Sequence, residues 1–230
     1  MAQYSKVIAS AADISAFTFE GGHTPTFLTR DGVTCFEIIP YFNFQWDAPG
    51  AVADVDYYCR WSNNHDDRLN RYGGPAARMG GLVNDSDAYV AARGNDYSLV
   101  HAFKIPADVS LGTIDSGIMG EFFWTRLYVS GTAIKIKVWN GNLEDEPGGL
   151  NANTDWDIEA TDSDYSAAGH VGFASINMVD EQEAFFAEFH VGTNGDPAPV
   201  SEWVSPALSG ATASSIQATQ FTPQVDIDFP

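Results

Sequence analysis

The strongest constraint on this chain is a repeat of two. In Ala133–Asn140 the apolar Ile134, Ile136 and Val138 alternate with Lys135 and Lys137. That period sends successive side chains to opposite faces of a β-strand, one buried and one wet. Phe122–Val129 (FFWTRLYV) precedes it as a second β-rich run, and Ser130-Gly131 reads as the hairpin turn between them. Further strands are expected at Ala16–Glu20, Val33–Tyr41, Asp54–Trp61, Ala88–Arg93, Leu99–Ile105, Asp155–Thr161, Gly169–Ile176 and Ala184–Gly192. Turn-forming clusters at Asp47–Gly50, Tyr72–Pro75, Gly141–Gly149 and Asn194–Pro199 separate them, and Ser110–Gly117 and Gly73-Gly74 also read as turn chemistry. No segment sustains a 3.6-residue apolar period, and Ser10–Ala16 and Asp180–Ala184 hold one helical turn each at most. Many short strands without helices predict an all-β sandwich or barrel.

Composition narrows the function classes. With 230 residues, 44% hydrophobic and 13% aromatic, the chain can bury a substantial core and is not a disordered polymer. Its formal net charge is −20, and all eleven Lys and Arg fall between Lys6 and Lys137. From Val138 onward there are sixteen acidic residues and no basic one. This excludes a nucleic-acid binder, which needs clustered cations to neutralise phosphates. It suits solubility, or attraction of basic patches and Ca²⁺. No apolar run approaches the ~18 residues of a membrane span, and Met1–Ser10 lacks a signal-peptide core. Cys35 and Cys59 are too few for a disulfide scaffold and read as buried free thiols, and the five scattered histidines show no zinc spacing.

The organisation expected is an N-terminal segment over 1–15, a β body over 16–192 and a C-terminal arm over 193–230. The arm is poor in apolar residues, but Trp203, Phe221, Ile227 and Phe229 can anchor it to a partner. Val225, Ile227 and Phe229 alternate with Asp226 and Asp228, a pattern able to extend another subunit's sheet edge.

A family resemblance rests on several stretches. Gln45–Val55 (QWDAPGAVADV) leads into Asp56–Trp61 (DYYCRW), followed by Gly80–Val83 and Ala88–Arg93 (AYVAAR). The hairpin Phe123–Trp139, then Trp156–Asp162 (WDIEATD), Ala167–Phe173 (AAGHVGF) and Phe185–Gly192 (FFAEFHVG) complete it. Together these resemble the concanavalin A-like lectin/glucanase group, in particular laminin-G-like modules of bacteriophage virion proteins. The resemblance implies an antiparallel two-sheet jelly-roll sandwich used for glycan binding, glycan hydrolysis or structural contact.

Three sets of site residues follow. Glucanases of this group cut with two acids on one strand face, and Asp155, Asp157 and Glu159 in DWDIE alternate suitably, although the group's motif opens on Glu where this chain has Asp155. The stretch Arg60–Arg78, read as a long loop, holds four of the seven arginines. Its Trp61, Asn63, Asn64, Arg68, Arg71 and Tyr72 combine an aromatic plate with amides and cations, which fits a sugar or a neighbouring subunit. Asp85 with Asp87, and Asp162 with Asp164, are candidate Ca²⁺ ligands, since laminin-G-like relatives often carry one Ca²⁺ at a loop rim. The leading expectation is a non-enzymatic virion protein, made in the host cytoplasm, decorating a capsid or tail through contacts with other virion proteins and its own copies. A host-glycan-binding module is the first alternative and a glycoside hydrolase the second.

Overall fold

The computed structural model describes residues 2–38, 43–64, 72–82, 86–93, 99–118, 122–176 and 183–199. Among them the chain forms β1 (Gln3–Val7), β2 (Phe17–Phe19), β3 (Thr26–Arg30), β4 (Val33–Ile38) and β5 (Phe44–Trp46). There follow β6 (Val55–Asn64), β7 (Tyr72–Met79), β8 (Ala88–Arg93), β9 (Leu99–Ile105) and β10 (Val109–Asp115). The last are β11 (Phe123–Ser130), β12 (Ala133–Trp139), β13 (Ile158–Thr161), β14 (His170–Ile176) and β15 (Glu183–Thr193). Three short 3-10 turns, at Ala11–Ala16, Glu20–Gly22 and Leu143–Asp145, are the helical content of the described residues.

These strands make two antiparallel sheets. Sheet I runs β13-β12-β11-β6-β15-β4-β3, and sheet II runs β10-β9-β8-β7-β14-β5-β2. β15 is long enough to carry β4 on its first residues and β1 on its last, along the same edge. The inward faces fill one shared core. Ile134, Ile136 and Val138 all point into it, with Ile136 opposite Leu127 across the β11–β12 hairpin. Phe17, Phe36, Phe44, Phe186 and Phe189 form an aromatic centre, with Phe17 and Phe189 centroids 4.8 Å apart and Phe44 and Phe186 4.9 Å apart. Each such ring contributes about 1.5–3 kcal/mol by leaving water. Cys35 and Cys59 are buried free thiols, and burial pushes both upward, Cys59 well above the ordinary thiol range.

Several expectations are corrected. The N-terminal segment carries β1, which lies in register on β15, Gln3 opposite Gly192 and Val7 opposite Glu188. The hairpin turn falls one residue later than expected, because Ser130 still pairs with Ala133 and Gly131 takes the positive φ of 56°. In the Arg60–Arg78 stretch the described residues are strand, with β6 running on to Asn64 and β7 starting at Tyr72. Gly73-Gly74 lies inside β7. A Cβ on Gly74 would sit 2.0 Å from the Ala91 carbonyl oxygen of β8, so glycine there permits close strand approach. Ser110–Gly117 is largely β10, where a Cβ on Gly112 would meet Ile158 Cγ2 of the opposite sheet at 2.6 Å. The described residues of the expected arm pack on the body: Thr193 ends β15, the Asn194 N–H donates to the Asp54 carbonyl, and Ala198 is buried. Trp203, Phe221, Ile227 and Phe229 lie outside the described residues.

Candidate binding face of sheet I

Strand alternation that sends Val55, Tyr57, Cys59 and Trp61 inward sends Asp56, Tyr58, Arg60 and Ser62 to the outer face of sheet I. Beside them β11 presents Trp124, Arg126 and Tyr128, and β12 presents Lys135, Lys137 and Trp139. Such a face is expected to be wet, but residues 140–157 fold back over it. The return begins with the Leu143–Asp145 turn, fixed by the Asn142 N–H donating to Asp145 Oδ2 at 2.7 Å and by Trp139 Nε1 donating to the Asn142 carbonyl at 2.9 Å. Asn151 then adopts a left-handed φ of 57°, which asparagine tolerates better than most residues.

Under this cover sits a closed ionic cluster. Arg126 holds Asp56 in a two-pronged bond, Nε to Oδ1 at 2.8 Å and Nη2 to Oδ2 at 2.9 Å. Its Nη1 donates to Glu146 Oε1 at 2.6 Å, and Lys137 Nζ reaches the same oxygen at 3.0 Å. Tyr58 donates its hydroxyl to Glu146 Oε2 at 2.8 Å, and the Asn151 N–H donates there at 2.9 Å. Lys137 completes its valence on the Pro147 and Ala152 carbonyls, at 2.8 and 2.9 Å. Two carboxylates thus meet two cations with the side chains of Lys137 and Glu146 fully excluded from water. Burial pushes the Asp56 carboxyl up and the Arg126 contact pulls it down, with burial prevailing. Burial alone would loosen the Arg126 proton, but the bonds to Asp56 outweigh it and hold the proton more tightly than in water. We read the pair as ionic, because the fork geometry needs a carboxylate with both oxygens accepting.

Trp156 caps the cluster. Its ring centroid lies 4.7 Å from Arg126 Cζ, 4.9 Å from Lys137 Nζ and 5.6 Å from Lys135 Nζ. Tyr128 packs beside it, centroids 5.9 Å apart and planes tilted by 43°. Both rings are half-buried, and the residues around them are exposed and polar. Asn153 Oδ1 accepts from Trp156 Nε1 at 3.0 Å, Thr154 donates to Asp155 Oδ2 at 3.1 Å, and Lys135 pairs with Glu159 at 2.8 Å. A fixed aromatic surface ringed by amide, hydroxyl, carboxylate and ammonium groups can stack on the C–H face of a polar ring and hydrogen-bond its edge.

The residues anticipated from sequence are distributed differently. Asp155, Asp157 and Glu159 do not line one strand face, because the chain joins β13 only at Ile158 and Asp155 takes a left-handed φ of 56°. Asp157 accepts from the Val138 N–H at 2.7 Å, and burial lifts its carboxyl above the ordinary range. Ile158 enters the core while Trp156 stays on the outer face. Trp61 is no sugar plate. It is buried in the core, its Nε1 donating to Thr125 Oγ1 at 2.9 Å. Asn63 faces inward and accepts from Arg93 at 3.0 Å. Arg68, Arg71, and the side chains of Asn64 and Tyr72 lie outside the described residues. So does Asp85, while Asp87 is exposed. Asp162 and Asp164 already share a cation, the Lys104 ammonium, with Nζ 2.8 Å from Asp162 Oδ2. Among the described residues no group of three or more potential ligands is placed to hold a metal ion.

Sequence reasoning missed Arg126, Lys137 and Trp156 as parts of a site. The one available signal was the acid Glu146 set within the Gly- and Asn-rich stretch 141–151.

The backbone is similar to that of a protein of unknown function with a galectin-like fold from Bacillus subtilis. Identity is 12%, 83% of this chain and 94% of that one are covered, and the TM-score is 0.52. The carbohydrate binding module CBM66 from Bacillus subtilis also resembles it, at 13% identity, 75% and 93% coverage and a TM-score of 0.49. So does a legume lectin-like domain from Entamoeba histolytica, at 9% identity, 84% and 97% coverage and a TM-score of 0.49. No protein-family model and no curated protein matches the sequence. The fold is a galectin-like, two-sheet antiparallel jelly-roll sandwich.

Proposed function

We propose that this chain is a non-enzymatic carbohydrate-binding module whose sugar contact is the Trp156–Tyr128 surface of sheet I. The observation that carries this reading is the half-exposed aromatic pair held rigid by the buried cluster of Asp56, Arg126, Lys137 and Glu146. Rigid aromatics lose little entropy on binding, and the exposed Asn153, Asp155 and Glu159 with the half-buried Lys135 supply partners for hydroxyls. Binding is favoured over hydrolysis because Asp155, Asp157 and Glu159 each serve a separate local partner. It is favoured over a contact-only virion role because the face has the composition of a polar-ring receptor, whereas the virion role rests on the sequence resemblance.

The test is a glycan array probed with the full chain, followed by titration of the best glycan. Trp156→Ala should weaken binding by about tenfold or more, as loss of an aromatic anchor does. Absence of any bound glycan, or equal binding by the variant, overturns the reading. Release of reducing sugar that vanishes in Glu159→Gln moves the function to hydrolysis.

A further inference from the structure

A second part of the same outer face carries a different anomaly. Arg60 of β6 stands directly opposite Trp124 of β11, and Ser62 is two residues further along the same face. Arg60 Nε, Ser62 Oγ and Trp124 Nε1 are all buried without a hydrogen-bond partner among the described residues. Ser62 and Trp124 are 1% and 2% exposed, so bulk water does not satisfy them. Buried polar groups in folded proteins are almost always paired, and an unpaired one costs about 1–3 kcal/mol. Three adjacent ones on one face signal a missing partner.

The charge balance points the same way. In a chain of net charge −20, the Arg60 guanidinium has no ion pair among the described residues. The acid opposite it on β15 is Glu188, but that carboxylate is engaged elsewhere. Glu188 Oε1 bonds His190 Nε2 at 2.8 Å, and His190 Nδ1 in turn bonds Ser5 Oγ at 2.8 Å. What surrounds Arg60 instead is aromatic: the Phe122 ring centroid is 6.0 Å from its Cζ, and Phe185 lies opposite Ser62. Guanidinium and indole N–H groups only donate, and a serine hydroxyl can donate too. The arrangement therefore asks for an acceptor with negative charge and no donors.

We infer that Arg60, Ser62 and Trp124 form an oxyanion site that takes a carboxylate group, the planar acceptor a guanidinium binds best. It is separate from the Trp156–Tyr128 surface and does not depend on the sugar reading. The carboxylate can arrive as a free small acid or as the acid group of a sugar, and the probes below separate these sources.

The full chain is titrated with sodium acetate, sodium glucuronate and glucose, with sodium chloride at matched ionic strength as the control. The reporter is the indole N–H resonance that Trp124→Phe removes. Acetate and glucuronate should shift that resonance saturably, and glucose and chloride should not. Glucuronate binding about tenfold tighter than acetate assigns the site to an acidic sugar, and equal affinity assigns it to a free acid. Arg60→Gln should abolish the shift, and Arg60→Lys, which keeps the charge but loses the fork, should weaken binding about tenfold. Ser62→Ala should leave the melting temperature in chloride unchanged or raised, because it removes an unpaired group, and should lessen the rise that glucuronate produces. Trp156→Ala should leave the shift intact. No saturable shift with either acid, or a shift unaltered in Arg60→Gln, overturns the site.

Discussion

Two clusters of opposite charge in this molecule use the same groups and differ in what surrounds them. On sheet I, Asp56, Arg126, Lys137 and Glu146 are sealed beneath residues 140–157. By β9 of sheet II, Lys104 bridges Asp162 and Asp164, with the Asp164 side chain 63% exposed. In the sealed cluster each carboxylate oxygen and each ammonium proton must find a partner within the protein, because desolvating an ion costs several kcal/mol. The cluster therefore dictates where Asn151, Ala152 and Pro147 lie, and through them where Trp156 sits. By Lys104, which is itself buried, water reaches the cluster from the Asp164 side and can replace that partner, and the ion pair fixes how Asp162 meets the Tyr89 hydroxyl, at 2.7 Å. Placement in the sheet, more than residue type, decides whether a charge organises a loop.

The largest expected effect breaks the sealed cluster. Glu146→Gln leaves Arg126 and Lys137 facing one carboxylate in a dry site, and should lower unfolding free energy by about 3–5 kcal/mol. Urea denaturation measures this directly. A loss below about 1 kcal/mol would mean that water reaches the cluster and the contrast is false.

The next effect compares two lysines of one strand. Lys137→Ala removes a fully buried ammonium that bonds Glu146 and two carbonyls, and should cost about 2–3 kcal/mol. Lys135→Ala removes a surface pair with Glu159 and should stay within about 0.5 kcal/mol of the native chain. Similar effects from both would place Lys137 in water as well.

That pair of lysines also shows how far the sequence could be read. Alternation in Ala133–Asn140 correctly sent Ile134, Ile136 and Val138 to the core, because period two is a property of the backbone itself. It could not distinguish Lys135 from Lys137, since burial of the second depends on a loop that returns from residues 140–157. β8 and β9 fall where their apolar runs stand, while β7 and β10 were hidden by glycines that serve strand and sheet approach in place of turns. Trp61 reads as a sugar plate only as long as Arg60–Arg78 is taken for a loop; once β6 continues to Asn64, alternation turns it inward. The aromatic surface at Trp156 was half legible: DWDIE drew attention, but to its acids. Their expected alignment fails because Asp155 leaves extended geometry before the strand begins.

The smallest expected effect concerns acid, and here Asp162 and Asp157 should respond with opposite sign. Burial raises the Asp162 carboxyl, but the Lys104 ammonium and Tyr89 hydroxyl pull harder and leave it below the ordinary carboxylate range. For Asp157 burial prevails over the Val138 N–H and the nearby Lys137 charge, and leaves it above that range. An unfolded aspartate titrates near ~3.9. As pH falls, the unfolded chain therefore protonates at Asp162 before the folded one does, so its stabilisation holds above the unfolded value and is lost as pH drops through the folded one. At Asp157 the folded chain takes the proton first, so lowering pH relieves a cost present at neutrality. Asp162→Asn should thus destabilise at pH about 7, less so in about 0.5 M salt, and the deficit should close toward pH about 3. Asp157→Asn keeps an acceptor for the Val138 N–H without the buried charge. It should melt slightly above the native chain at neutrality, with the gain fading as acid protonates the native side chain. Melting curves of the three proteins across this range decide the matter: differences of the same sign at neutrality would show that Asp157 and Asp162 meet their surroundings alike and that the contrast between the two sites is false.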